Sequence, residues 1–167
     1  NRLDRSTSGL MCVAKHAYAT VRLGMLAAEG QMTKEYLAIC EGLPSPLCGR
    51  IDAPIGRKDG SVLAREVRSD GKAAVTNYKT IAGFQRRSLV RLTLETGRTH
   101  QIRVHMAHIG HPLTGDFLYG TEDPSLIGRA ALHACALKFQ HPVTGLPLSF
   151  EIGLPEDMLR LIGYEKG

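Results

Sequence analysis

The chain has 167 residues, and 43% of them are hydrophobic, enough for one domain with a sizeable core. No apolar run approaches the length of a membrane span, and no basic segment followed by an apolar one marks a signal peptide, so a membrane protein is not expected. The net charge is +5, and residues 50–91 alone hold 10 basic and 4 acidic residues, which favours a polyanionic partner.

The first part of the chain predicts a strand, a helix and a second strand: LMCVAK (10–15), AYATVRLGMLAAEG (17–30) and MTKEYLAICEG (32–42). In the helix, Tyr18, Val21 and Met25 are spaced to share one face, and Gly30 is suited to end it.

The second part adds four strands and two helices: AVTNYKTIAGF (74–84), SLVRLTLETG (88–97), the helix HQIRVHMAHIG (100–110), ALHACALKF (131–139), LPLSFEIGL (146–154) and the helix EDMLRLIGY (156–164). The short link at 85–87 favours a hairpin, and Thr99 is a candidate N-cap for the first helix. Strands dominate and most neighbours are expected to be antiparallel. We therefore predict an α+β fold, a mainly antiparallel mixed sheet with a few flanking helices.

Four cysteines lie at positions 12, 40, 48 and 135, and no two of them form a C-x-x-C pair. This spacing disfavours a zinc ribbon or a redox motif. Reduced structural thiols in a cytoplasmic protein are the expectation.

The opening segment RLDRSTSG (2–9) places the carboxylate of Asp4 between Arg2 and Arg5. Adjacent positive charge favours the ionised form of a carboxyl group, which can then act as a nucleophile or base. The alternative is a capped turn with ordinary surface ion pairs.

Basic and polar residues are concentrated in GRTHQIRVHMAHIGHPLTGD (97–116), where His100 and Arg103 lie one helical turn apart. That side of the helix could face a cleft, or it could be a solvated polar face. His105 and His108, at i and i+3, raise the possibility of a metal site, but no nearby cysteine or carboxylate completes a ligand set.

Tyr36 lies in the strand-like run KEYLA (34–38). A half-buried tyrosine there is either an ordinary core residue or an aromatic cover over a planar ligand.

Together these stretches resemble the RluA-type pseudouridine synthases. RLDRSTSG is similar to the family signature HRLD-x-x-TSG, KEYLAICEG to its second motif, and GRTHQIRVHMAHIGHPLTGDFLYG to its third. The segments AVTNYKT (74–80) and LHACALKFQHP (132–142) also match in order, so the resemblance covers essentially the whole chain.

The resemblance implies a pseudouridine synthase catalytic domain, a monomer that isomerises uridine in ribosomal or transfer RNA without a metal or an organic cofactor. It implies that Asp4 is the catalytic carboxylate, attacking the base, attacking the sugar or removing a proton. Arg103 is expected to pair with Asp4, and Tyr36 to stack on a flipped-out uracil. The residues expected to contact RNA are Arg2, Arg5, Thr7, Arg98, His100 and Gln101, with Arg2 filling the gap left by the flipped base.

The sequence departs from the family at Asn1, where the family usually has His, and in having no counterpart of the strands and the lysine–proline segment that precede this motif. Residues 1–167 are therefore expected to be a catalytic domain lacking its N-terminal portion. The basic segment 50–91 is expected to contact phosphates.

Two other functions remain open from the residues alone. One is a non-catalytic RNA-binding or RNA-folding protein on the same scaffold. The other is a glycosidase, which needs a second acid near Asp4, with Glu35, Glu95 and Asp116 as candidates.

Overall fold

The computed structural model describes residues 3–5 and 7–163. Within them the chain forms nine strands and three helices, in the order β1 (Ser8–Gly9), α1 (Ala17–Ala28), β2 (Thr33–Glu41), β3 (Cys48–Asp52), β4 (Ile55–Arg57), β5 (Arg65–Val67), β6 (Val75–Phe84), β7 (Arg87–Leu94), α2 (Gln101–His108), β8 (Leu132–Gln140), β9 (Pro147–Glu151) and α3 (Glu156–Leu161). Among these helices none is long and apolar enough to cross a bilayer.

Seven strands form one sheet in the order β1–β8–β2–β7–β6–β3, and β9 also pairs with β8. The β1–β8 pair is parallel and all the others are antiparallel. Strands β4 and β5 form a separate two-stranded sheet. The predicted α+β fold with a mainly antiparallel mixed sheet is confirmed, as is the hairpin between β6 and β7.

Both faces of the sheet are covered, and β2 shows how the sequence divides between them. Tyr36 and Ala38 belong to the hydrophobic cluster that includes Ile102 of α2. Ile39, which points the other way along the pleat, packs with Met158 of α3. The alternation of β2 therefore directs Tyr36 toward the α2 side of the sheet.

The buried strand predicted over residues 10–15 is wrong. Only Ser8 and Gly9 pair with β8, opposite His133 and Ala134, and Met11 and Val13 are exposed. If β1 continued in the same register, Met11 and the residues after it would have to pair with β8 from Ala136 onward. That edge is occupied by β9, which pairs with residues 136–140.

Helix α1 forms as predicted, and Gly30, at φ 71°, follows its cap residue Glu29. The face shared by Tyr18, Val21 and Met25 is exposed, however, and the buried positions are Ala19 and Leu26. Strands β3, β4 and β5 were not predicted, because they are short and carry polar residues and glycine.

Candidate active site

A cleft of about 550 Å³ opens where the loop before β1, the start of β2 and the loop from β7 to α2 come together. Its lining includes seven of the nine residues that the sequence predicts for the site, namely Asp4, Thr7, Tyr36, Arg98, His100, Gln101 and Arg103. Arg5 is exposed and does not belong to this lining, and Arg2 lies outside the described residues. Three motifs that are distant in sequence thus meet at one concave site.

The loop that carries Asp4 is a tight turn attached to the sheet. The Thr7 amide donates to the Asp4 carbonyl at 2.9 Å, which closes the turn. Next to it, Ser8 Oγ lies 2.8 Å from Nδ1 of His133, a buried residue of β8. These contacts fix the backbone of Asp4 relative to the central sheet.

Gly9 brings this loop unusually close to β8. It has φ 114°, and a Cβ at this position would overlap the carbonyl oxygen of Ala134. The same carbonyl accepts a hydrogen bond from the Leu10 amide at 2.9 Å. Only glycine permits both the backbone angle and the close approach.

Tyr36 is 8% exposed and lies opposite a β-bulge in the neighbouring strand β8. Glu35 and Tyr36 pair with Ala136 and Ala134, so Cys135 is the extra residue of β8. Bulges of this kind re-aim side chains beside functional sites. Burial raises the pKa of the Tyr36 hydroxyl, and the charge of Asp4 raises it further. The tyrosine therefore stays protonated at neutral pH.

Arg103 does not form the ion pair with Asp4 that was expected, and this is the main correction at the site. Its Nε and Nη2 donate to the two carboxylate oxygens of Asp116 at 2.7 and 2.6 Å. Burial by itself lowers the pKa of Arg103, but the hydrogen bonds and charge of Asp116 raise it. Asp4 attracts Arg103 from a greater distance and contributes a smaller effect of the same sign.

Asp116 is held in place by its own loop. Its Oδ1 accepts hydrogen bonds from the amides of Leu118 and Tyr119 at 3.0 and 3.2 Å. The guanidinium carbon of Arg103 lies 5.0 Å from the ring centre of Tyr119 and 5.5 Å from that of Phe117. The carboxylate and the rings together fix the arginine before any substrate arrives.

His100 lies immediately before α2 and lines the cleft. The helix begins at Gln101, and His100 is the flanking residue in a left-handed conformation, so the predicted N-cap at Thr99 is wrong. Nδ1 of His100 is 2.8 Å from the hydroxyl of Tyr119. Burial lowers the pKa of His100, and the charge of Arg103 lowers it further.

Gln101 is a structural residue of the cleft wall, in contrast to the predicted RNA contact. It is 2% exposed, its Oε1 accepts from the Thr96 hydroxyl and the Arg98 amide, and its Nε2 donates to Val75 and Thr76 of β6. Both polar atoms are therefore occupied within the protein. Gln101 holds the loop at 96–100 against the sheet.

The comparison with known proteins decides the family. A family model described as RNA pseudouridylate synthase matches residues 1–108. The chain belongs to the RNA pseudouridylate synthase family. The family predicted from the three motifs is thus confirmed.

Individual relatives agree with this assignment. The chain is 47% identical over 164 residues to an uncharacterized RNA pseudouridine synthase, YjbO, of Bacillus subtilis, covering 98% of this chain and 58% of the relative. It is 44% identical over 174 residues to the ribosomal large subunit pseudouridine synthase D of Vibrio cholerae, covering 96% of this chain and 53% of the relative. It therefore spans little more than half the length of these relatives.

Solved structures show the same fold. Human RNA pseudouridylate synthase domain containing 1 superimposes with a TM-score of 0.83 at 30% identity, covering 96% of this chain and 70% of that one. Human RNA pseudouridylate synthase domain containing 4 gives a TM-score of 0.79 at 25% identity, covering 99% of this chain and 76% of that one.

The basic segment 50–91 of this pseudouridylate synthase family member forms several ion pairs within the protein. Four of its ten basic residues form ion pairs within the described chain: Arg50, Arg68, Arg87 and Arg91. Among the described residues the other six form no ion pair, namely Arg57, Lys58, Arg65, Lys72, Lys79 and Arg86. Contact between this segment and phosphates stays a prediction. Sequence reasoning also missed Lys34, a cation in the cleft lining.

Each of the three carboxylates considered as a second acid forms an ion pair with an arginine. Asp116 holds Arg103, Glu35 lies 2.7 Å from Arg91, and Glu95 accepts from Arg50 at 3.0 Å. Glu95 lines the same cleft as Asp4, but hydrogen bonds from Arg50 and Asn77 lower the pKa of its carboxyl, which disfavours it as the protonated acid that a glycosidase needs.

One of the two histidines considered for a metal site, His105, already forms hydrogen bonds within the core. His105 is fully buried, with Nδ1 2.9 Å from the Thr76 hydroxyl and Nε2 2.9 Å from the Ala53 carbonyl oxygen. Both ring nitrogens are used within the core, so His105 serves packing and hydrogen bonding.

Proposed function

We propose that this protein isomerises uridine to pseudouridine in RNA, with Asp4 as the catalytic carboxylate. In this reaction the N1–C1′ bond breaks, the uracil turns, the C5–C1′ bond forms, and a proton leaves C5 while N1 gains one. The atoms rearrange with no net oxidation or reduction, so the chemistry calls for no redox cofactor.

The observation that carries the proposal is the meeting of Asp4, Tyr36 and Arg103 in one cleft. The carboxylate supplies the nucleophile or base, whether it attacks the base, attacks the sugar or removes a proton. Tyr36 offers a buried aromatic face on which a uracil can stack, and its protonated hydroxyl can take part in proton transfer at C5.

Arg103 supplies a fixed positive charge in the same cleft as Asp4. Because Asp116 and two aromatic rings already hold it, no reorganisation is needed as negative charge develops near Asp4. We assign Asp116 to positioning this cation.

The size of the cleft supports a flipped-out nucleotide. A volume of about 550 Å³ suits one nucleoside and its phosphate, whereas a base stacked within a helix could not reach Asp4. Arg5 and Arg98 are exposed near the cleft and can contact the flanking phosphates. Arg2 lies outside the described residues, and we retain the expectation that it fills the gap left by the flipped base.

Large-subunit ribosomal RNA is the first substrate to test, because a relative is named for it, and transfer RNA is the second. We expect a monomer, as the resemblance to the family implies. A cytoplasmic location fits an RNA substrate and the free state of the four cysteines.

The test is a map of pseudouridines in total RNA from the source organism with and without the gene. The proposal expects specific sites to vanish on deletion and to return with the wild-type gene but not with Asp4→Asn. If no site is lost although the purified protein binds RNA, the protein is a non-catalytic RNA-binding protein on this scaffold.

A further inference from the structure

The backbone of His100 is the starting point. At φ 57° and ψ 19° it is the one described residue other than glycine with a positive φ. Such a conformation persists only where the surroundings fix it, and it is concentrated at functional sites. Here it turns the imidazole so that one ring edge meets Tyr119 while the residue lines the cleft.

The hydrogen bonds of Tyr119 determine which ring nitrogen of His100 carries the proton. The Tyr119 hydroxyl oxygen accepts from the Arg65 amide at 2.9 Å, and the His100 ring packs edge-on against the tyrosine ring, with centroids 5.6 Å apart. Among the described residues, Nδ1 of His100 is the only acceptor for the hydroxyl proton. When the hydroxyl donates to Nδ1, His100 carries its own proton on Nε2.

The same contact keeps the imidazole neutral. A second proton on Nδ1 would leave the Tyr119 hydroxyl proton without an acceptor in a half-buried position. The charges acting on the ring are those of Arg65 and Arg103, which oppose protonation, and of Asp4 and Asp116, which favour it. Burial, the largest influence, also opposes protonation.

The Nε2 edge has no hydrogen-bond partner among the described residues. Of the charges that act on the ring, Arg103 and Asp116 pair with each other, which leaves Asp4 and Arg65. Arg98 is exposed on the adjoining loop, and Arg65 lies behind Tyr119. A phosphate oxygen is the strongest acceptor that an RNA offers to a neutral N–H group in such surroundings.

We propose that His100 binds the RNA backbone as a neutral donor, giving its Nε2 proton to a phosphate oxygen beside the target nucleotide. This inference rests on the proposed function. Tyr119 is the positioning residue that fixes the donor tautomer, and it does so without touching the RNA.

The tautomer is tested first, by ¹⁵N NMR of the ring nitrogens, with the His100 signals assigned by their loss in His100→Gln. We expect an unprotonated Nδ1 and a protonated Nε2 near neutral pH, and in Tyr119→Phe a mixture of both tautomers. A protonated Nδ1 in the wild-type protein would overturn the proposal. This arm does not depend on enzymatic activity.

The contact is tested by steady-state kinetics on a large-subunit ribosomal RNA transcript. Because a hydrogen bond to a charged acceptor is lost, His100→Ala should raise KM about 10-fold or more, with a smaller change in kcat. His100→Gln, which keeps an N–H donor at similar reach, should stay within about 3-fold of wild type. Equal KM values for the Ala and Gln variants would overturn the neutral-donor role.

The pH dependence separates a neutral donor from a cation. The wild-type KM should stay level between about pH 6.5 and 8.5, since a neutral imidazole loses no charge there, whereas an imidazolium contact would weaken across this range. A KM that rises steeply with pH in the wild type but not in His100→Gln would overturn the proposal. If the wild-type protein forms no pseudouridine in any RNA, the proposed function fails, and the NMR arm still decides the tautomer.

Discussion

Arg103 and Asp116 form a two-point ion pair whose side chains are 3% and 0% exposed, beside the cleft that holds Asp4. The guanidinium is thus anchored by a residue that comes 13 positions later in the chain, and the proposed catalytic carboxylate is left without an ion-pair partner of its own among the described residues. A fixed cation next to an unpaired carboxylate is the arrangement on which the proposed chemistry depends.

Removing the charge of Asp116 should destabilise the folded protein. Asp116→Asn leaves the guanidinium of Arg103 buried without a counter-charge, so the free energy of unfolding should fall by about 3–5 kcal/mol. Urea denaturation followed by circular dichroism measures this. As a control, Glu95→Gln breaks the solvent-exposed pair with Arg50 and should leave the urea midpoint nearly unchanged. Equal effects of the two substitutions would contradict the role given to burial.

Gly9 and Gly24 offer a matched pair of Gly→Ala substitutions. Gly9→Ala meets both a positive φ and the Ala134 carbonyl, so it should destabilise the protein by about 2 kcal/mol or more and displace the Asp4 loop. Gly24→Ala, exposed within α1 with nothing near its Cβ, should stabilise it by about 0.5–1 kcal/mol. Urea unfolding curves of both variants measure these changes in the free energy of unfolding. If Gly9→Ala left that free energy unchanged, the loop would not be held as described.

Tyr36 combines a ring for stacking with a protonated hydroxyl, and two variants separate them. Tyr36→Phe keeps the ring, so RNA affinity should change little while kcat falls by about 100-fold or more if the hydroxyl moves a proton. Tyr36→Leu should weaken RNA binding as well, by about 1–3 kcal/mol for a lost base–aromatic stack. Fluorescence anisotropy and single-turnover kinetics report the two effects. Full activity in Tyr36→Phe would remove the hydroxyl from the mechanism.

Stability should fall in mild acid. Burial lowers the pKa values of His100, His105 and His133 in the folded protein, whereas in the unfolded chain each lies near 6.5. Below that pH the unfolded chain binds more protons, so stability present at neutral pH is lost as the pH falls, by at most about 1.4 kcal/mol per pH unit for each histidine.

Urea unfolding at pH 7.5 and 5.5 measures this loss. His105→Gln, which removes one of the buried rings, should narrow the difference between the two pH values, whereas the exposed His108→Gln should preserve it. Equal stability of the wild-type protein at the two pH values would contradict the account.

Much of the site could be predicted from sequence because its residues lie in three short, distinctive motifs. The helical spacing in 100–110 and the strand-like run 32–42 also placed Arg103 and Tyr36 on elements that the structure confirms. The partner of Arg103 could not be predicted in the same way. Asp116 lies in an irregular segment between α2 and β8, where no periodicity shows which side chain turns inward.

The errors near the N-terminus have a similar origin. An apolar run at 10–15 favours a strand, but whether it pairs depends on β9, more than 130 residues later, which occupies the same edge of β8. The left-handed His100 likewise depends on Tyr119 and Arg65. Competition for a sheet edge and anchoring by distant side chains are tertiary effects, which local sequence patterns do not contain.

The central claim is that Asp4 performs the chemistry, and tritium release tests it most directly. RNA labelled at C5 of uridine loses its label only when the C5–H bond is broken. The wild-type protein should release tritium, and Asp4→Asn should be slower by at least about 100-fold while fluorescence anisotropy shows nearly unchanged RNA binding. Release by Asp4→Asn at the wild-type rate would contradict the account.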